Sequence, residues 1–351
     1  MRALRFDGQI VRYLADAPSP QAGPGEAIVR TKRVGLTPID ARVADARGNG
    51  GGARFTGTLG HELIGVVEQI NLPPDAPANL RSRAALKGKR VVASSSVLCG
   101  QCDMCRSGLS PHCRAREVMG VAGRGGTLAD FVGVPLLELF PVPESMSDDH
   151  AALAPQVGAA VHLAHLVRAD AKSFITILGD NLPALLAALA LSAHNRSARL
   201  LGARPDRLSL CDRWGLKHRP VDEAGRRQDQ DVVIDCTGTA AGLRLALQFV
   251  RPRGTIVLTA PGGSFPATPG VPLPAEPEDA WATPVDLSLA VTNEVQIIGS
   301  REGHIADGIA FMTEHPVDAA SLISRRFPLE KGQEALQAAA NPSQLKVVVD
   351  F

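Results

Sequence analysis

At 351 residues the chain is long enough for two domains, each with a core of its own. Its 37 Lys and Arg against 36 Asp and Glu leave a formal net charge of +1, so composition implies no nucleic acid or other polyanion as partner. A hydrophobic content of 45% is ordinary for a soluble globular protein. The N-terminal Met1-Arg2-Ala3-Leu4-Arg5-Phe6-Asp7 has no apolar core of the kind a secretion signal needs. The most apolar window, 175–193, carries Asp180, Asn181 and Pro183 and is a poor membrane span. The expectation is a cytoplasmic protein without membrane association.

The first part of the chain reads as β-rich. Short alternating or β-branched runs cover 2–6, 10–13, 26–33, 63–70, 89–94 and 127–134, with Pro24-Gly25-Glu26 as one of the breaks. The stretch Gly48-Asn49-Gly50-Gly51-Gly52 is expected to be a mobile loop. Within this part, Cys99, Cys102, Cys105 and Cys113 form a C-x2-C-x2-C-x7-C pattern interleaved with Gly100, Gly108 and Pro111. Four thiolates satisfy tetrahedral Zn²⁺ completely and leave no position for water or substrate, so such a site is structural. Its metal would hold a loop too poor in apolar residues to fold alone. Two disulfides or an iron–sulfur cluster are the alternatives, and short C-x-x-C loops in a cytosolic chain favour zinc. Cys211 and Cys236 lie apart and read as packing residues.

Near Pro141 the character changes. Residues 147–168 are Ala- and Leu-rich at helical spacing, with Ser147-Asp148-Asp149 as the start signal. A strand over 174–178 then meets a turn and a helix reaching Ala193. Pro183 suits a first helical turn, and free amides at such a helix start are where dinucleotide folds seat a pyrophosphate. The glycine pattern there is altered. A G-x-G-x-x-G register uses Gly179, Asn181 and Ala184. Gly179 suits the sharp turn and Ala is accepted at the close-packing position. Asn tolerates positive φ, yet its side chain intrudes where phosphates approach. Alone, the segment reads equally as a nucleotide turn or as a strand–turn–helix that binds nothing.

Strands and helices alternate from there: a strand over 198–201, a polar segment, a strand over 232–235, a helix over 242–250, and strands over 255–259 and 295–299. That order predicts a doubly wound parallel sheet. The Pro-rich insert between Pro261 and Pro284, with Trp281, is too long for an ordinary connection and reads as a lid, an interface arm or a surface loop. Helices over 305–314 and 332–340 and a last strand over 346–350 are expected to return to the first domain.

Together these pieces resemble the zinc-containing alcohol dehydrogenases of the medium-chain dehydrogenase/reductase superfamily. The matching residues are Gly60-His61-Glu62, the Cys99–Cys113 lobe, the Gly179 turn, Asp235-Cys236-Thr237-Gly238, Arg251-Pro252-Arg253-Gly254, Gly299-Ser300-Arg301 and Lys346. The resemblance covers essentially the whole chain. It implies an α/β protein with a GroES-like β-rich domain over 1–146 and 303–351, the zinc lobe at 95–115, and a Rossmann doubly wound parallel sheet over 147–302. It further implies a small-molecule substrate, a nicotinamide cofactor and a homodimer formed by edge-strand pairing. Cofactor contacts are expected from Gly179, Asp180, Asn181 and Leu182, from Gly202 and Arg204, and from Thr237, Gly238 and Arg301.

Departures from the family pattern fall at its reactive centre. The family holds a catalytic zinc with a cysteine, the histidine of Gly-His-Glu, and a later cysteine or glutamate. Here Thr37 stands at the cysteine position and Ala154 at the later one, while His61 and Glu62 remain. Too few ligands are left for tight zinc, so one zinc per chain, the structural one, is expected. Thr37-Pro38-Ile39-Asp40 instead looks like the Asn-Pro-x-Asp stretch of the zinc-independent quinone and enone reductases. A conjugated acceptor can take hydride without a metal if a donor stabilises the enolate, and the Thr37 hydroxyl is a candidate. His61 is a candidate proton donor or a relic bonded to its neighbours, Asp40 could orient it, and Glu62 could pair locally. Glu117, His162 and His165 have no matched role.

Cofactor type follows from the end of the second strand, where Gly202 occupies the place of the acidic residue that binds the ribose diol of NAD. Arg204, with Arg207 or Arg199 nearby, could meet a 2′-phosphate, which favours NADP(H) over NAD(H), or could be solvated surface charge. Three functions stay open. One is a zinc-independent NAD(P)-dependent reductase of an activated carbonyl, enone or quinone. Another is a non-catalytic descendant acting in binding or assembly. The last is an alcohol dehydrogenase that recruits zinc through substitute ligands.

Overall fold

The computed structural model describes residues 1–45, 55–167, 173–195, 197–225, 227–259 and 285–351. The glycine stretch 48–52, Arg168 and the insert 261–284 with Trp281 lie outside the described residues. Described residues fall into two compact units, one of 1–154 and 318–351, the other of 155–259 and 285–317.

In the first unit a sheet runs in the order Leu139–Pro141, Arg90–Ala93, Leu63–Asn71, Glu26–Leu36, Lys346–Asp350, Ile323–Pro328, and Phe131–Pro135 also pairs with Glu26–Leu36. Val91, Val92 and Ala93, and Val347, Val348 and Val349, are buried in succession, so these strands are covered on both faces. Val29, Leu63, Val67, Val91, Val134 and Leu139 share one core. The closing strand is antiparallel to Glu26–Leu36, with Val347 opposite Leu36 and Val348 opposite Gly35. This pairing sets Lys346 at the end of the strand that leads into Thr37. Residues 127–130, expected to be strand, instead bond elsewhere. The Thr127 amide donates to the Gly60 carbonyl at 3.0 Å and the Leu128 amide to Leu59 at 2.8 Å, so the strand begins only at Phe131.

The second unit is built on six parallel strands in the order Lys217–Pro220, Arg199–Gly202, Ile175–Leu178, Gln230–Asp235, Val250–Leu258, Gln296–Gly299. Chain order reverses between Ile175–Leu178 and Gln230–Asp235, which makes a topological switch point at their carboxyl ends. The doubly wound sheet expected from alternation is therefore present. Its strand Lys217–Pro220 and the helix Pro205–Arg213 before it fall in the segment read only as polar, because the helix buries a narrow stripe of Arg207, Leu208, Leu210 and Cys211.

The continuous helix expected over 147–168 is two helices, Asp148–Ala151 and Ala154–Leu166. Pro155 explains the break: it lacks the N–H a helix interior needs but suits a first turn. The units divide at 154/155 and 317/318, later than the boundaries at 146/147 and 302/303 expected from the sequence. The helix Ile305–Glu314 thereby belongs to the second unit rather than to a return into the first. Within that unit Gly158 and Gly303 let two backbones touch, since a Cβ on either would collide with the other segment's carbonyl. Among the described residues no helix is long and apolar enough to cross a membrane.

Candidate functional site

Three places carry chemistry, and the cysteine lobe is the simplest. Cys99, Cys102, Cys105 and Cys113 present sulfur atoms all within 4.8 Å of one another. Cys113 Sγ lies 3.5 Å from Cys99 Sγ and 4.0 Å from Cys102 Sγ. A tetrahedron with Zn–S of about 2.3 Å needs sulfur separations of about 3.8 Å, so the donor set fits zinc in both geometry and softness. All four are free thiols, which disposes of the disulfide alternative in this structure. Gly100 and Gly108 take φ of +69° and +75° and turn the loop between ligands. Backbone amides of Cys105 and Arg114 facing Cys102 pull its thiol down to about 6, while burial pushes the Cys105 thiol up to about 12. Among the described residues it is the one group of three or more His, Cys, Asp or Glu donors that converges this way.

The second place is a buried polar chain in the first unit. Thr37 caps the helix Pro38–Val43 with φ −127°, its Oγ1 accepting from the Ile39 amide at 3.2 Å. Asp40 completes a capping box, Oδ2 accepting from the Thr37 amide at 2.8 Å. Its other oxygen, Oδ1, lies 2.8 Å from His61 Nδ1. An ionised carboxylate only accepts, so Nδ1 carries the proton and Nε2 is the functional end of the ring. Burial would lower the His61 pKa, but the adjacent Asp40 carboxylate outweighs it and the net shift is upward.

Glu62, expected to pair locally, is held from far along the chain: Lys346 Nζ donates to its Oε2 at 2.5 Å, while His61 Nε2 stands 3.9 Å from its Oε1. Lys346 is 1% exposed and Glu62 4%. Gly35 makes the room, because a Cβ there would strike the Glu62 carboxylate and come within 2.9 Å of Lys346 Nζ. Sequence reasoning gave Lys346 no role and passed over Gly35. The available signal was a lysine directly ahead of the apolar run Val347-Val348-Val349. Ala154 is fully buried and offers no ligand atom.

The third place is the carboxyl edge of the parallel sheet, where Gly179–Leu182, Gly202, Arg204, Thr237, Gly238 and Arg301 follow the ends of their strands. Gly179 turns at φ +114° after Ile175–Leu178, and the helix Leu182–Ser192 starts behind it. Asn181 is not at positive φ; it has φ −81° and acts as the helix cap. Its Oδ1 accepts from the Ala184 amide at 3.1 Å and its Nδ2 donates to the Cys236 carbonyl at 2.7 Å. The side chain is thus tied across two strand ends. None of the described residues accepts from the Leu182 amide, which leaves one donor at the positive helix end for a phosphate.

Thr237 donates to Asp235 Oδ1 at 2.7 Å, Gly238 takes φ +65°, and Arg301 follows the strand Gln296–Gly299 with Nε 3.4 Å from Glu302. Arg204 is not a solvated charge. Its Nε and Nη2 donate to Asp180 Oδ1 at 2.8 and 2.5 Å. Arg199 opens its strand and so stands at the edge opposite Gly202, and the Arg207 side chain is 9% exposed. Arg199 therefore lies away from the carboxyl edge, whereas Arg207 lies in the first turn of the helix that begins there.

The alcohol dehydrogenase GroES-like domain matches residues 23–144. L-threonine 3-dehydrogenase of Streptomyces avermitilis is 25% identical over 354 residues, spanning 97% of this chain and 96% of that one. A protein described as a short chain alcohol dehydrogenase from Escherichia coli CFT073, complexed with NADH, shares the fold with a TM-score of 0.81 at 17% identity, covering 100% and 99% of the two chains. A candidate zinc-binding dehydrogenase from Sinorhizobium meliloti 1021, bound to NADP, does so with a TM-score of 0.78 at 23% identity, covering 100% and 99%.

Proposed function

We propose that the chain, whose residues 23–144 match the alcohol dehydrogenase GroES-like domain, is an NAD(P)-dependent oxidoreductase of the medium-chain dehydrogenase/reductase superfamily with zinc only in the cysteine lobe. It reduces an activated carbonyl, enone or quinone. The observation that supports this reading is the carboxyl edge of the parallel sheet, where Gly179, Leu182, Gly202, Arg204, Thr237 and Gly238 follow the strands on either side of a switch point and Arg301 follows the edge strand. These residues would hold the dinucleotide, which supplies hydride when bound. With Gly202 in place of an acid and Arg204 beside it, the 2′-phosphorylated form is favoured.

The chain's own part in the reaction is proton supply. Protonated His61 gives its Nε2 proton to the atom left electron-rich by hydride addition, and Asp40 on Nδ1 stabilises the imidazolium. The Thr37 hydroxyl, which donates to Asp40 Oδ2 at 3.4 Å, becomes a second donor to a developing oxyanion if it turns from that long bond. Thr37 and Ala154 supply no metal ligand, which supports a metal-free reactive centre.

The protein is further proposed to be cytoplasmic and homodimeric. Six free cysteines suit a reducing compartment. The edge strand Gln296–Gly299 and the preceding helix Ser288–Thr292 leave Ile297 37% and Val291 79% exposed, as an edge-pairing surface requires. A second reading, a non-catalytic binding protein, is favoured by Asn181, which takes the Ala184 amide from any phosphate.

Elemental analysis and calorimetric titration with NADPH and NADH on one sample decide between them. About one zinc per chain with micromolar binding of either nucleotide is expected. A second bound metal would overturn the metal-free centre, and absence of both nucleotides would leave the binding-protein reading standing.

A further inference from the structure

The end of the strand Arg199–Gly202 has the makings of an anion site, and the anion in it is the chain's own. Asp180 Oδ2 accepts from the backbone amides of Ala203 and Arg204 at 2.8 and 2.9 Å, and Oδ1 accepts from Arg204 Nε and Nη2 at 2.8 and 2.5 Å. Two converging amides ahead of the helix Pro205–Arg213 and a guanidinium are the donors that proteins use for phosphate. A carboxylate offers about four acceptor positions, so these four donors saturate it and leave none for a ribose diol. Nor can residue 202 supply an acid, since a Cβ on Gly202 would lie 2.9 Å from Asp180 Cβ and 3.0 Å from Leu208 Cδ2. The Asp180 side chain is 11% exposed, while that of Arg204 keeps 32%.

We propose that Asp180 is an internal competitor for the 2′-phosphate of an adenine dinucleotide, occupying the amides and guanidinium that would otherwise bind it. This rests on reading the sheet edge as a dinucleotide site, and it changes what Arg204 means there. Discrimination between NADP(H) and NAD(H) is held down by a carboxylate that the phosphate must displace or share Arg204 with. NAD(H), with no phosphate at that position, is indifferent to the exchange.

The test is calorimetric titration of the wild type, Asp180→Asn, Asp180→Ala, Arg204→Leu and the Asp180→Asn/Arg204→Leu double variant with NADPH, NADH, 2′,5′-ADP and 5′-AMP. Thermal unfolding of each variant confirms that it is folded. Both Asp180 variants are expected to bind NADPH and 2′,5′-ADP about tenfold more tightly, with NADH and 5′-AMP within about threefold of wild type. In the Arg204→Leu background the Asp180 substitution should no longer move the ratio. Equal changes for phosphorylated and unphosphorylated ligands would show a purely structural Asp180 and overturn the proposal. A selective loss of NADPH would also overturn it, by showing that Asp180 positions Arg204 instead of competing for it. If both nucleotides bind but their ratio is unmoved, the competitor alone falls. Should no protein in the set bind any of the four ligands, the dinucleotide reading falls with it.

Discussion

Replacing Lys346 by Met tests whether the buried chain from Thr37 to Lys346 is an electrostatic unit. Met keeps most of the aliphatic length, so the substitution removes an ammonium without opening a large cavity. What it leaves is the Glu62 carboxylate, 4% exposed, with its 2.5 Å partner gone and His61 Nε2 no nearer than 3.9 Å. Removing one member of a buried pair costs roughly 3–5 kcal/mol, because the survivor stays buried without its nearest counter-charge. At about 2–4 °C per kcal/mol this is a fall in melting temperature on the order of 10 °C. Lys346 also holds the His61 pKa down, so in the variant His61 should keep its proton to higher pH and part of the loss should be recovered in acid. The assay is urea unfolding of the wild type, Lys346→Met, Glu62→Gln and the double variant across pH. Because the double variant removes both charges, it should regain most of the stability. A single variant within about 1 kcal/mol of wild type, or a double no better than the single, would refute the reasoning.

Gly35→Ala should be as damaging as the loss of Lys346, since its methyl must displace the Glu62–Lys346 pair; circular dichroism melts would show it, and a neutral result would mean the strand shifts at little cost. Chelation of zinc, or Cys105→Ser, should expose the segment 95–115 to proteolysis while the parallel-sheet unit stays resistant, read by mass spectrometry of the fragments. His61 has a folded pKa above its unfolded value of about 6.5, so its contribution to stability is complete below about pH 6.5 and is lost as pH rises through the folded value. The stability gap between wild type and His61→Asn should therefore shrink with rising pH, and a gap that widened would reverse the assigned sign.

Local signals were legible and distant ones were not. The cysteine lobe is written within fifteen consecutive positions, so spacing alone pointed to the four thiols that the structure brings together. Closing strand Lys346–Asp350 and the helices Ile305–Glu314 and Gly332–Ala340 have the bounds their periodicity predicts. The strand Ile323–Pro328 went unseen because Ser324, Arg325 and Arg326 interrupt its apolar residues, and only pairing with Lys346–Asp350 makes it a strand. Asp40 and His61 could be guessed as neighbours from the resemblance, but nothing near Glu62 in sequence points to a lysine 284 positions on. Asp180 and Arg204 are a similar case. Each is expected from the sequence to touch a cofactor, but nothing there pairs them, and the ion pair exists because parallel neighbours end side by side.

Both polar clusters share a physical property that bears on whether the chain is catalytic. Asp180 is saturated, Asn181 spends its amide on Ala184 and Cys236, and Glu62 is taken by Lys346. Polar groups already paired in this way gain little from a ligand that only replaces those bonds, because desolvation and exchange nearly cancel. Such a site binds weakly unless some group is left wanting. His61 Nε2 is that group in the first unit: Nδ1 is fixed by Asp40, and Glu62 stands at 3.9 Å, beyond hydrogen-bond reach. A purely structural histidine in so polar a setting would be expected to close that gap. An oriented ring with a raised pKa and one end uncommitted is what proton transfer requires, and it favours the reductase over the binding protein.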